Sequence, residues 1–219
     1  MSNSVVAHEE AAPPVSNWNI ANIITMIRIA LVPVFAWLLL RASWNPITHR
    51  IDGYWGVHSN TLRWWALAIF VLAAFSDKLD GHLARSRGLI TDLGKLLDPI
   101  ADKALTGAAF ILLAFPLFEI PWWVPVVILI REWGITLMRM RLRRYAVLPA
   151  GRGGKLKTLL QSIAIPLLLL PLHILPHWVK IVAWVFLAAA IAATLLSGID
   201  YAINGWELYK GRTRSVMPR

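Results

Sequence analysis

The feature that most constrains this chain is its supply of uncharged runs of helix length. A helix that crosses a hydrocarbon layer needs about 20 mainly apolar residues. Six segments meet that requirement, at about 20–40, 62–80, 94–118, 122–142, 156–175 and 178–203. They occupy most of the 219 residues, so no separate soluble domain fits beside them. At 58% hydrophobic and 16% charged, the sequence is also too apolar for a water-soluble globule of this size. The expected fold is therefore all-α, a polytopic membrane protein with six transmembrane helices. A polar N-terminal tail covers 1–19, with room for an interfacial helix near 16–21, the membrane domain covers 20–205, and a basic cytoplasmic tail covers 206–219. The first 16 residues carry Glu9, Glu10, Pro13 and Pro14 and lack a basic start and a small-residue cleavage site. Insertion is therefore expected to be directed by the first span.

Charge distribution assigns sides to the connections. The chain has 22 Lys and Arg against 12 Asp and Glu, net +10. A balance this basic raises the question of nucleic acid, but the cations lie between apolar runs rather than along one solvated face, so nucleic acid is not an expected partner. Cytoplasmic loops are enriched in Lys and Arg. Arg139, Arg141, Arg143, Arg144, Arg152, Lys155 and Lys157 crowd one connection, and Lys210, Arg212, Arg214 and Arg219 follow the last span. Both stretches are expected inside, with both termini, and the 12 Trp are expected to belt the two interfaces. One misfit stands: the 41–63 loop must be external, yet it carries Arg41, Arg50 and Arg63. The absence of Cys removes disulfides, thiolate catalysis and thiolate-bound zinc.

Five of the acidic residues fall in one short window, Asp77, Asp80, Asp92, Asp98 and Asp102. An ionised carboxylate at the centre of a bilayer costs about 2.5–3.5 kcal/mol on insertion scales, and several together also repel. Cations must offset them. Asp77 and Asp80 are three residues apart and Asp98 and Asp102 four, spacings that align side chains on one helix face. An antiparallel hairpin turning over 86–93 lets both faces meet near the cytoplasmic surface. Hard divalent ions take oxygen ligands, so Mg²⁺ or Mn²⁺, two per site, suits four converging carboxylates better than zinc does. Gly81, Ala84 and Gly94 leave room for a ligand or an opposing backbone. The competing structural reading pairs these Asp with Lys78, Arg85, Lys95 or Lys103 and leaves the small residues at fixed turns unexplained.

Asp77-Lys78-Leu79-Asp80-Gly81-His82-Leu83-Ala84-Arg85, eight further residues, Gly94, three residues, Asp98, three residues and Asp102 match the signature of the CDP-alcohol phosphotransferase family at each of its eight fixed positions. The chain resembles that family over nearly the whole membrane portion. The likeness to its members that act on glycerol phosphate continues through Asn22, Thr25 and Arg28, Asp98-Pro99-Ile100-Ala101-Asp102-Lys103, Arg131-Glu132, and Gly154-Lys155-Leu156-Lys157-Thr158 with Gln161. The resemblance implies the family's fold in a bacterial plasma membrane, as a homodimer with its active site on the cytoplasmic side. It implies transfer of a phosphatidyl group from CDP-diacylglycerol to the primary hydroxyl of sn-glycerol 3-phosphate, with release of CMP. By that likeness Asp77, Asp80 and Asp98 hold the two metals, Asp77 bridging both. Asp102 is the catalytic base and also touches one metal. Asn22, Thr25, Asp77, Gly81, Ala84, Arg85 and Gly94 bind the CDP portion.

An acceptor that carries its own phosphate needs cations in the same mouth. Arg131 leads that set, since a lone Arg inside a span is costly, with Arg139, Lys155 and Lys157 beside it; the competing reading pairs Arg131 with an acid of another helix. Arg28 is read equally as a phosphate contact or as the partner of an Asp, and His82, Ser76 and Thr106 as structural. The metal motif does not separate glycerol phosphate from acceptors such as phosphatidylglycerol or an inositol phosphate. Two other classes use acidic membrane helices. An intramembrane prenyltransferase does not account for Gly81, Ala84-Arg85 and the eight-residue gap. A divalent-cation transporter would need polar residues continuing outward, and spans four to six supply few.

Overall fold

The computed structural model describes residues 19–52, 57–86, 91–142 and 152–216, so the N-terminal tail and the interfacial helix expected near 16–21 lie outside the described residues, apart from the first residues of the first helix. Within those bounds there are six helices, α1 (Ile20–Ala42), α2 (Asn60–Ser86), α3 (Asp92–Ala114), α4 (Trp123–Leu142), α5 (Arg152–Leu169) and α6 (His177–Val216). A two-residue hairpin, β1 (Trp44–Asn45) against β2 (Arg50–Ile51), sits in the α1–α2 link, with Trp44 paired to Ile51 and Asn45 to Arg50. Six helices were expected at these places. Their bounds differ most at five ends, since α2 continues to Ser86 rather than near 80, α3 stops at Ala114 rather than near 118, α5 runs from Arg152 to Leu169 rather than over 156–175, and α6 continues to Val216.

Local chemistry explains where helices start. Asn19 caps α1 by accepting from the Asn22 amide at 2.9 Å, and Thr91 caps α3 by accepting from the Gly94 amide at 3.1 Å. Each satisfies one of the amides that a helix start leaves without a partner. In the α1–α2 link, Asp52 accepts from Asn45 Nδ2 at 2.7 Å and faces His58 Nε2 at 2.6 Å. The Asn45 contact, then His58, holds the Asp52 carboxyl below its ordinary range.

Helix α1 packs against both α2 and α3, α5 against α6 and α2, and α4 against α3 and α6. Phe35, Phe70, Phe110, Leu113, Ile165, Leu168 and Leu187 meet in the shared core, where the Phe35 and Phe70 rings lie 5.7 Å apart. Large apolar side chains also lie on the outside of the described helices: Leu72, Ile130 and Leu196 are each about two-thirds exposed. Two stretches, Asn22–Ala42 and His177–Ile199, are long and apolar enough to cross a membrane. In sequence the acidic residues Asp77 and Asp80 fall in the second half of α2, Asp98 and Asp102 in the first half of α3, and Lys155 and Lys157 in the first turns of α5. The polar halves of α2, α3 and α5 thus gather at one end of the bundle.

The opposite end is closed by a buried ion pair. Arg63, in the first turn of α2, has no exposure, and Glu119 in the α3–α4 link is 3% exposed. Arg63 Nη1 and Nη2 donate to the two Glu119 oxygens at 2.8 and 2.5 Å. The same guanidinium donates from Nε to the Leu169 carbonyl at 2.9 Å and from Nη2 to that of Leu168 at 3.0 Å. These are carbonyls of the last turn of α5, which a helix cannot satisfy from within. Glu119 is held in turn, its own amide donating to the Leu113 carbonyl at 2.8 Å. The link 41–63 therefore presents less positive charge than its sequence suggests, because Arg63 is neutralised inside the bundle. Glu119→Ala leaves that guanidinium buried without its carboxylate. Removing one partner of a buried pair is expected to cost about 3–5 kcal/mol. Thermal unfolding of the purified protein in detergent checks this, and an unchanged Tm would show that the pair contributes nothing.

Candidate active site

The acidic motif straddles the α2–α3 link at the polar end. Asp80 lies six positions before Ser86, the last residue of α2, and Asp98 lies six after Asp92, the first of α3. Asp77 and Asp102 lie nine and ten positions from the same helix ends. At a rise of about 1.5 Å per residue, the Asp80 and Asp98 backbones stand about 9 Å from the link and those of Asp77 and Asp102 about 14–15 Å. Two helices joined by residues 87–91 and touching each other thus carry their acidic positions in level pairs. The side chains of Asp77, Asp80, Gly81-to-Arg85, Asp98 and Asp102 lie outside the described residues. Four carboxylates brought together would make an all-oxygen donor set, the kind that suits hard divalent ions.

Helix α1 supplies a buried polar stripe against this end. Asn22, Thr25 and Arg28, three residues apart, are 3%, 1% and 1% exposed on a helix whose only other polar residue is Arg41 in its last turn. Asn22 Nδ2 donates to Thr91 Oγ1 at 2.7 Å, tying α1 to the start of α3. Arg28 Nε reaches Ser76 Oγ at 3.5 Å, next to Asp77 in sequence, and Ser76 itself donates to the Ala73 carbonyl at 2.8 Å. The stripe thus spans from the start of α3 to the turn of α2 that precedes the motif.

Gly94 is explained by the same contacts. A β-carbon there would stand 2.6 Å from Asn22 Oδ1 and 3.3 Å from Thr91 Oγ1. The expectation was that Gly94 lets a ligand or a backbone approach. What approaches is the Asn22 side chain, so two residues read separately as nucleotide contacts are one packed unit. Thr91, which joins them, went unremarked in sequence, although a Thr directly before Asp92 at the head of a helical run is a cap signal.

The cations expected to take the acceptor phosphate divide. Arg131 and Lys157 are described, whereas the Arg139 and Lys155 side chains lie outside the described residues. Arg131 Nη2 donates to Ser197 Oγ of α6 at 2.8 Å. Lys157 is 5% exposed, and its Nζ pairs with Glu132 Oε1 of α4 at 2.5 Å. Adjacent residues of α4 thus reach two different helices. On α5, Gln161 lies one turn beyond Lys157 and its Nε2 is 3.5 Å from Thr194 Oγ1 of α6. Lys103, which follows Asp102, donates to Thr136 Oγ1 and stands 5.0 Å from the centre of the Trp133 ring. Ser197 and Thr194 were not singled out in sequence. Their signal was present: between Lys180 and Asp200 they are the only hydroxyls on a helix otherwise free of charge.

Comparison with known proteins puts this architecture in context. Residues 18–196 match the family described as CDP-alcohol phosphatidyltransferase. A probable phosphatidylglycerophosphate synthase of Mycobacterium tuberculosis (strain H37Rv) is 44% identical over 183 residues, covering 84% of this chain and 79% of the relative. The CDP-diacylglycerol–glycerol-3-phosphate 3-phosphatidyltransferase of Bacillus subtilis (strain 168) is 38% identical over 201 residues, covering 88% and 98%. A cardiolipin synthase (CMP-forming) of Streptomyces coelicolor is 37% identical over 153 residues, covering 69% and 65%. With the motif on the level ends of α2 and α3 and a family match running through most of six helices, this chain belongs to the CDP-alcohol phosphatidyltransferases, a membrane-associated family of transferases.

Proposed function

We propose that the protein is a phosphatidylglycerophosphate synthase, which transfers the phosphatidyl group of CDP-diacylglycerol to sn-glycerol 3-phosphate and releases CMP. The observation that carries the reading is the level pairing of Asp77 with Asp102 and Asp80 with Asp98 on two touching helices, in a chain whose relatives in Mycobacterium and Bacillus bear that activity in their names. All six helices cross a bacterial plasma membrane in this reading, with the acidic end on the cytoplasmic side, and the chain works as a homodimer by family resemblance.

Asp77, Asp80 and Asp98 would hold two divalent ions, Mg²⁺ or Mn²⁺, which when bound neutralise the diphosphate and the departing CMP. Asp102 accepts the proton of the acceptor's primary hydroxyl. That oxygen forms a bond to the phosphatidyl phosphorus, and the bond from this phosphorus to the oxygen of CMP breaks. Asn22, Thr25, Gly81, Ala84, Arg85 and Gly94 line the nucleotide portion. Arg131 and Lys157 face the acceptor phosphate, with Arg139 and Lys155 at the mouth. The Streptomyces relative favours one second reading, a cardiolipin synthase in which phosphatidylglycerol replaces glycerol phosphate.

Purified protein in mixed micelles is expected to release CMP from CDP-diacylglycerol when glycerol 3-phosphate and Mg²⁺ or Mn²⁺ are present, and to stop when the metal is chelated. Release with phosphatidylglycerol and none with glycerol 3-phosphate would install the second reading, and no metal-dependent release with either would remove both. Asp102→Asn is expected to lower kcat by about 10²-fold or more, the scale of a lost general base, while CMP binding measured by calorimetry persists. Gly94→Ala is expected to raise the KM for CDP-diacylglycerol several-fold more than that for glycerol 3-phosphate, because the added methyl displaces Asn22; equal changes in both would detach Asn22 from the nucleotide.

A further inference from the structure

We infer that Ser197, together with Gly198, is a positioning residue for acceptor binding: the two form a seat on α6 that fixes the Arg131 guanidinium. The inference rests on the reading above that Arg131 takes the acceptor's phosphate. Ser197 is 3% exposed, although it lies on a face of α6 that carries no charge between Lys180 and Asp200. Its hydroxyl is committed as a donor to its own helix, reaching the Ala193 carbonyl at 2.7 Å and that of Thr194 at 3.1 Å. With its proton directed backwards, its lone pairs turn outward to α4, where they accept from Arg131 Nη2 at 2.8 Å. The next residue completes the seat sterically. A β-carbon at Gly198 would stand 3.3 Å from Arg131 Cγ, so the stem of the arginine lies in the groove that the missing side chain leaves.

The companion cation is held on the same plan by a different helix. Lys157 of α5 is fixed by Glu132, the neighbour of Arg131 on α4. A point charge on a flexible stem is thus aimed by a carboxylate, and a planar fork by a hydroxyl. A hydroxyl acceptor orients the guanidinium without adding a negative charge at that contact. Preorientation lowers the cost of ordering a long side chain when the acceptor binds. Ser197 lies just past the stretch 18–196 that matches the family.

The test is steady-state kinetics of the full-length protein with both substrates varied. Ser197→Ala is expected to raise the KM for glycerol 3-phosphate about tenfold, the scale of one lost hydrogen bond to a charged group, with kcat and the KM for CDP-diacylglycerol changed by less than about twofold. Ser197→Thr, which keeps a hydroxyl, is expected to recover most of that loss. Gly198→Ala, which presses on the arginine stem, is expected to shift the same KM in the same direction. Ser162→Ala is the control, since that hydroxyl is exposed on α5 and bonds only the Thr158 carbonyl of its own helix. Arg131→Ala separates the two levels. If it raises the acceptor KM and Ser197→Ala then adds nothing in its background, the seat is supported. If Arg131→Ala raises that KM but Ser197→Ala and Gly198→Ala leave it alone, or move both substrates equally, the seat is overturned and the role of Arg131 stands. If Arg131→Ala leaves the acceptor KM unchanged, the phosphate role and the seat fall together.

Discussion

A charge enclosed by apolar helices is tolerable only beside a partner at hydrogen-bond distance, and that requirement organises this bundle from end to end. Arg63 meets it with four hydrogen bonds, to Glu119 and to the last carbonyls of α5. Those contacts join the start of α2, the α3–α4 link and the end of α5, which lie far apart in sequence. Breaking one partner away is costly because the other charge stays buried. The pair therefore fixes which helix ends meet, whatever its net contribution to stability.

The same requirement met by different chemistry marks the other end. There the described polar groups lie on four helices, Asn22, Thr25 and Arg28 on α1, Arg131 and Glu132 on α4, Lys157 and Gln161 on α5, and Thr194 and Ser197 on α6, next to the α2 and α3 segments that carry the motif. The contacts described there include the Asn22–Thr91 and Arg131–Ser197 hydrogen bonds and the Lys157–Glu132 pair, which orient side chains of α1, α4 and α5.

Helix positions were legible in sequence because a membrane-length apolar run is a local property, and all six came out near their expected places. The motif was legible for the same reason, as fixed spacings within 26 residues of chain. What escaped was long-range pairing. Arg63 read as a stray external charge because its partner Glu119 is 56 residues away and its carbonyls 105 and 106. Gly94 read as room for a ligand or an opposing backbone, and the side chain that lies against it belongs to Asn22, 72 residues earlier. Ser197 carried no signal beyond being a hydroxyl on an apolar helix, and its meaning depends on an arginine 66 residues earlier. The helix ends that moved, at α2, α3, α5 and α6, did so where apolar composition continues into a link or helix continues past it, so hydropathy alone does not mark the boundary.

Helix α6 has 40 residues, a rod about 60 Å long at the usual rise per residue. A hydrocarbon layer is about 30 Å thick. After the uncharged run 181–199 the charges of α6 resume at Asp200 and continue through Glu207, Lys210, Arg212 and Arg214, so in the membrane-spanning reading the turns to Val216 stand clear of the lipid tails as a stiff extension. Ser197 sits at the root of that extension. A tilt imposed on the outer turns, by lipid headgroups or by a neighbouring protein, would be delivered at the base of the lever, beside the arginine that α6 holds.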